Sequence, residues 1–410
     1  MLVTNKQNMW SKTEYWLVAA LFVILAGAML FLTYNQAYHV WNGLEPYHCD
    51  ALAYMQEAMG IETKYSFPYP IMFWAISLLA KVLGVEWAYA VVVTVAQCVS
   101  FLVLCFFLKK YVKPNQGEKT STTQNGMVIL AAFAILFFSM IFVYNHPFPG
   151  TRFYYMGVYS PNPFHNATYL VARPFCIAVL FQVAELLESY EQAFQWKKGL
   201  VFAITLLLAT MTKPSFTIVL CGAVGLVLLY RLLKSKCKNF KQTLCFGVLF
   251  VPTFLDLLYQ FGGVFSGVNV KGEETGIGFG LFHVWKEYCD NYLVAILLVI
   301  FFPLVVLCFQ HGKLRTHTLY RLGWQLYGMG LLMFVVLYEK GFRAVDSNFS
   351  WGYMMGAFAL VVSSVLVLLE ETFVKDGNKK HLVIQWGAFL LHVACGLFYF
   401  GIIIMGGSYY

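Results

Sequence analysis

Apolar runs long enough to cross a bilayer recur along this 410-residue chain, separated by short polar segments. They predict eleven helices, at 15–34, 87–108, 127–144, 167–187, 199–211, 215–230, 244–263, 291–309, 322–338, 352–370 and 382–406. A further run at 69–83, YPIMFWAISLLAKVL, is short for a crossing and opens on Pro-Tyr-Pro, so it is expected to lie along the outer interface as a helix. Residues 51–59 are good helix formers and predict a second helix in the same external loop. The first apolar run follows MLVTNKQNMWSKTE and is itself long enough to span, which sets it apart from a cleaved leader.

Composition sharpens this reading. With 60% hydrophobic, 18% aromatic and only 12% charged residues, a chain of this length cannot be a soluble globule. The fold class is an all-α polytopic membrane protein. Its ten cysteines stand mostly within apolar runs and form no CxxC, so they read as small core residues and not as a disulfide or zinc framework. With the N-terminus inside, the alternate polar segments that become cytoplasmic hold 19 of the 28 Lys and Arg residues. Counting 69–83 as a full crossing would put KKYVKPNQGEK and RLLKSKCKNFK outside, against that bias. The expected topology is N-terminus cytoplasmic and C-terminus external, and the net charge of +8 gives no reason to invoke nucleic acid.

The stretch LLLATMTKPSFTIVL places Lys213 and Pro214 between the apolar runs 199–211 and 215–230. Both flanking loops are basic, so this break must face outward. The residue before a proline avoids helical geometry, and the turn holds the ammonium near the outer leaflet. There it either snorkels from a helix end or binds an anionic group such as a lipid phosphate.

The first external loop, NGLEPYHCDALAYMQEAMGIETKYSFPYP, contains Glu45, His48, Asp50, Tyr54, Glu57 and Glu62. Asp50 suits the N-cap of the 51–59 helix; alternatively it is a general base at the membrane surface, with His48 near enough in sequence to share its proton. The second, NHPFPGTRFYYMGVYSPNPFHNATYLVARPF, is rich in Pro, Asn, Tyr and His and is expected to be an ordered, irregular loop. Here Arg152, Tyr159, Asn162 and His165 lie outside, and Arg173 sits about two turns into the next span, where it calls for an anionic partner. Aromatic anchoring explains most of these tyrosines, and stacking on sugar faces is the functional alternative. Glu45, Tyr54, Tyr159, Asn162 and His165 are the candidate acceptor- or sugar-binding residues. GIGFG in the segment 264–290 follows no soluble strand and opens no nucleotide-binding helix; the segment reads as a plain linker, with a mobile cover over an external site as the functional alternative. Lys340, Arg343 and Asp346 stand on the same side, and Asp256 lies within a span. The sequons at Asn166 and Asn348 carry little weight.

One span, an external loop with an acidic residue, then SFPYPIMFWAISLLAKVLGVEWAYAVVVTVAQCVSFLVLCFFLKKY, and later LLLATMTKPSF, resemble the GT-C superfamily of membrane glycosyltransferases over roughly residues 10–235. The likeness is one of layout and weak motifs. It divides the chain into a GT-C-like module, 1–235, with its external loop at 35–86, and a variable C-terminal module, 236–410. It implies that Asp50 activates the acceptor and that Lys213 holds the phosphate of a polyprenyl-linked sugar donor. Arg173, Arg343 or Arg152 would complete that pocket, and His48 would assist the base. Two departures stand out: Cys49 replaces the first of the paired acids, and the external loops contain no Asp-x-Asp. No metal or other cofactor is therefore expected.

The implied reaction is one displacement at the anomeric carbon, with inversion, at the outer face of what is expected to be a bacterial plasma membrane. Its partners are membrane lipids, the donor and an acceptor whose identity the sequence leaves open. Other readings are a polysaccharide polymerase or ligase, a lipid-linked-sugar flippase or transporter, and a purely structural subunit. A transporter would place its ionisable groups near the midplane in two related halves, whereas here most charges lie outside the spans.

Overall fold

The computed structural model describes residues 11–62, 67–112, 121–141, 155–265, 276–374 and 378–407. The chain is almost wholly helical: α1 (Lys12–Trp41), α2 (Ala51–Ala58), α3 (Ile71–Leu83), α4 (Val85–Tyr111), α5 (Thr122–Ile135), α6 (Tyr155–Val158), α7 (Ala167–Ser189) and α8 (Trp196–Thr212). There follow α9 (Ser215–Lys234), α10 (Phe240–Val248), α11 (Val251–Phe265), α12 (Tyr292–Gln310), α13 (Lys313–Thr316), α14 (Thr318–Val336), α15 (Ser350–Thr372) and α16 (Lys379–Ile404). Two three-residue strands, β1 (Ile277–Phe279) and β2 (Leu337–Glu339), pair antiparallel.

Among the described residues, α1, α4, α7, α9, α12, α15 and α16 are long and apolar enough to cross a membrane, and the α10–α11 pair makes an eighth if counted as one span. Three other expected spans are helical but fall short: α5 has 14 residues, α8 has 17, and α14 is interrupted by polar positions such as Arg321 and Gln325. The span expected at 244–263 is two helices bent by 48°. The span expected at 127–144 stops at Ile135. Asn162 Nδ2 takes the carbonyls of Ile135 and Phe138 at 3.0 and 2.6 Å, and Ser160 Oγ accepts the Met140 amide at 2.8 Å. Side chains from a distant segment thereby satisfy backbone groups that a continuing helix would pair internally.

The core is built on α15, whose apolar window is entirely buried. Glycines bring α14 against it. A Cβ on Gly330 would lie 2.9 Å from Tyr353 Cα, and one on Gly356 would lie 2.7 Å from the Leu326 carbonyl oxygen. Such backbone approach is how helices associate when lipid removes the hydrophobic drive. On the other side α4 packs between α1 and α7, and α3 lies against α4. Gly84, at φ 81°, makes the reversal from α3 into α4 that a side-chain-bearing residue would resist. The apolar 13-residue α3 is the short helix expected at 69–83.

The polar segments gather at two ends. Ion pairs link the segments assigned to the inner face: Lys109 to Glu14 at 2.9 Å, Lys110 to Glu185 at 3.2 Å, and Lys313 to Glu371 at 3.0 Å. Segments assigned to the outer face also meet one another. Tyr47 donates to the Ile404 carbonyl at 2.9 Å, Trp285 to that of Gly157 at 2.7 Å, and Tyr288 to that of Val345 at 2.9 Å.

Candidate active site

Asn166 occupies the N-cap of α7, where its Oδ1 accepts the Tyr169 amide at 2.9 Å. The same oxygen accepts from Thr168 Oγ1 at 2.9 Å and from Lys213 Nζ at 3.4 Å. Its Nδ2 donates to Asp50 Oδ2 and to the Tyr54 hydroxyl, each at 2.7 Å. One buried amide therefore connects the first external loop, the start of α7 and the α8–α9 break.

Lys213 adopts an extended backbone between α8 and α9, as the following Pro214 requires. It is buried, donates to Thr168 Oγ1 at 2.8 Å, and lies 4.6 Å from the Trp351 ring centre. A snorkelling lysine would extend into water; this one is enclosed by protein. Burial brings its pKa down to about 7, against the pull of the Asp50 charge.

Asp50 sits at the N-cap of α2 but makes no side-chain cap, because its carboxylate is drawn to Asn166 and, at 3.4 Å, to the Tyr54 hydroxyl. It stays half-buried, and its amide donates to the His165 carbonyl at 3.2 Å. Burial holds the His165 ring neutral, with a pKa of about 4. Burial and the nearby Asp50 charge raise the Tyr54 phenol well above its ordinary value.

Around this group lie Tyr69, whose phenol senses Arg343, Asp50, Glu339 and Glu57, and the antiparallel β1–β2 pair. Arg343 pairs with Glu339 at 3.7 Å, and Asn348 donates to the same carboxylate at 2.8 Å. Tyr54 packs against Phe67 and Phe73, ring centres 5.3 and 6.2 Å away. Beyond those two rings is a cavity of about 430 Å³, lined also by Glu57, Trp74 and Ser77.

Of the residues singled out from sequence, Asp50, Tyr54, His165 and Lys213 come together, with Arg343 at the edge. His48 is instead exposed and pairs with Glu45 at 2.8 Å, so its ring is directed to that carboxylate. Arg173 is deeper, about 10 Å along α7 from Asn166. Its NH1 donates to the Gln97 amide oxygen at 2.8 Å and its guanidinium lies over the Tyr169 and Phe358 rings. Asn162 is committed to the end of α5, and Tyr159 accepts from Ser347 at 2.6 Å within an aromatic cluster; both are buried supports, not sugar contacts. Arg152 lies outside the described residues, as do parts of the segments 145–175 and 264–290. The rest of the expected cover is tied down, with Gly280 and Phe282 donating to the Val336 and Val335 carbonyls at 2.9 and 2.8 Å.

Asn166, Thr168 and Trp351 were not picked out as site residues. An asparagine directly before an apolar run is an N-cap signal, and it could have marked Asn166. Burial also removes this sequon from the surface. Among the described residues, no group of three or more His, Cys, Asp or Glu side chains is placed to hold a metal. No protein-family model matches the chain, and no curated protein matches it.

Proposed function

We propose that this polytopic membrane protein is a GT-C-type glycosyltransferase using a polyprenyl-phosphate sugar at the face that bears Asp50. The observation that carries the reading is a partly exposed carboxylate coupled through Asn166 to an enclosed ammonium at a helix break. Charges are costly at such depth and mark sites more often than structure. Asp50 takes the proton of the attacking hydroxyl or amine. The anomeric C–O bond breaks toward the phosphate, whose developing charge Lys213 stabilises, with Arg343 as its nearest helper and Arg173 too deep to serve. The cavity beyond the Phe67 and Phe73 rings leaves room for sugar or acceptor. Attack in one step inverts the configuration.

In this reading all eleven predicted spans cross, with α5, α8, α14 and the bent α10–α11 pair sheltered by neighbouring helices. The N-terminus is cytoplasmic, the C-terminus external, and a bacterial plasma membrane fits the short loops. A flippase also fits a lysine at a helix break, and the test separates the two. Purified protein is titrated with polyprenyl phosphate and assayed for sugar transfer from polyprenyl-phosphate donors. Asp50→Asn should keep lipid binding and lose about 10²–10⁴-fold in transfer. Lipid binding without transfer by the wild type would favour the flippase, and no lipid binding would end both readings.

A further inference from the structure

At the opposite, basic end of the helices, a cleft of about 1060 Å³ opens between α9 and α14. Its walls are apolar, and Leu226 and Leu332 among them are exposed, so the cleft is continuous with the surface that faces lipid. Its rim carries Arg231, Lys234, Arg315 and Arg321, against the single carboxylate of Glu191. Glu188 is also within electrostatic reach of Arg321, yet positive charge remains in excess, and Arg231 is near enough to repel Arg321.

Two of the cations are fixed by backbone. Arg231 NH1 donates to the Leu187 carbonyl at 2.6 Å and lies 3.9 Å from the Glu191 carboxylate, and Arg321 NH1 donates to the carbonyls of Leu314 and Arg315 at 3.3 and 3.0 Å. The other two, Lys234 and Arg315, are exposed and enter no ion pair with a described residue. Glu191 and Glu188 offset only part of the four positive charges around this apolar slot, and an anion with an apolar tail satisfies slot and remaining charge together. Basic pockets between transmembrane helices capture anionic headgroups in this way.

We propose that the α9–α14 cleft binds an anionic phospholipid from the leaflet at the basic face, its phosphate between Arg231 and Arg321 and an acyl chain along Leu226 and Leu332. Lys234 and Arg315 close over the headgroup. The site is independent of the glycosyltransferase reading and lies at the other end of the helices from Asp50.

Two variants probe charge and shape separately. Lys234→Gln with Arg315→Gln removes the two unpaired cations, which should weaken binding roughly 30-fold at about one kcal/mol per cation. Gly328→Trp fills the cleft from a position where an added Cβ meets nothing within 4 Å, and should abolish binding. Delipidated full-length protein is titrated with phosphatidylglycerol and with phosphatidylcholine, and bound lipid is counted by native mass spectrometry. Preference for phosphatidylglycerol, lost in both variants with helicity by circular dichroism unchanged, is the expected result. Equal binding of the two lipids, or phosphatidylglycerol binding unaffected by either variant, overturns the proposal. So does inorganic phosphate displacing the lipid at equal concentration, since the cleft would then be a simple anion site.

Discussion

Asp50 and Lys213 are joined through one side chain: Asn166 donates Nδ2–H to the aspartate at 2.7 Å and offers Oδ1 to the ammonium at 3.4 Å. Because the same oxygen caps α7, truncation removes both a cap and a buried bridge. Asn166→Ala is therefore expected to lower stability by about 2–3 kcal/mol, roughly one from the cap and the rest from polar groups left unsatisfied. Asn166→Asp keeps the capping oxygen but sets a second carboxylate beside Asp50, and is expected to fall between wild type and alanine. Thermal unfolding in detergent orders the three; an alanine variant as stable as wild type would show that the bridge holds nothing.

Lys213 gives a pH signature whose sign can be worked out. Its pKa is about 7 in the folded protein against an ordinary 10.5, so between those values the unfolded chain binds more protons than the folded one. Stability should therefore rise with pH across that window, and Lys213→Met should flatten the rise. At pH 6 the methionine variant is expected to be at least as stable as wild type, because it removes a buried charge whose dominant influence is desolvation. A phosphate ligand reverses the advantage, since it binds the protonated amine. Polyprenyl phosphate affinity should then fall by up to about tenfold per pH unit from 7.5 to 9 in wild type and be weak and flat in Lys213→Met. Melting curves and lipid titrations at three pH values check both slopes; a wild-type affinity independent of pH would remove Lys213 from the phosphate site.

What could be read from sequence, and what could not, follows from how local each cause is. The helices were legible because each apolar run declares itself, and Lys213 stood out because a charge and a proline interrupt one. The end of α5 at Ile135 was not legible, since its cause is Asn162 and Ser160 arriving from another segment. Asp50 is legible by its place before a helix and does occupy the N-cap position, but its side chain makes no cap: the competition between its own helix and Asn166 is decided by tertiary geometry. His48 was chosen for nearness in sequence, and the chain turns its ring toward Glu45. Asn166 stands directly before an apolar run, a local N-cap signal, but its bridge between Asp50 and Lys213 depends on three segments meeting in the fold.

Close packing of α14 on α15 makes a graded prediction. Gly330→Ala and Gly356→Ala each place a Cβ within 3 Å of backbone, which cannot yield as a side chain could, and should cost about 1–3 kcal/mol. Gly27→Ala and Gly225→Ala meet nothing within 4 Å and sit in helices, where alanine is the better helix former, so they should be neutral or slightly stabilising. If all four alanine variants melt together, the two helices do not depend on this approach.

Orientation decides which solvent Asp50 sees, and two exposed positions at opposite ends report it. Cys237 lies exposed between α9 and α10 at the basic end, and Glu45 lies exposed in the loop that leads to Asp50, paired with His48. The excess of Lys and Arg at the first end predicts that it faces the cytoplasm. A membrane-impermeant maleimide should label Glu45→Cys, made in a Cys237→Ser background, in intact cells. Cys237 of the wild type should react only after permeabilisation. Chemistry ties the site to this outcome: a polyprenyl carrier brings its sugar to the outer face, where soluble nucleotide sugars are absent, and a base on that face can use it. Labelling in the reverse order would put Asp50 in the cytoplasm, where a lipid-linked donor loses that rationale, and the outward-facing glycosyltransferase reading would fall with the topology.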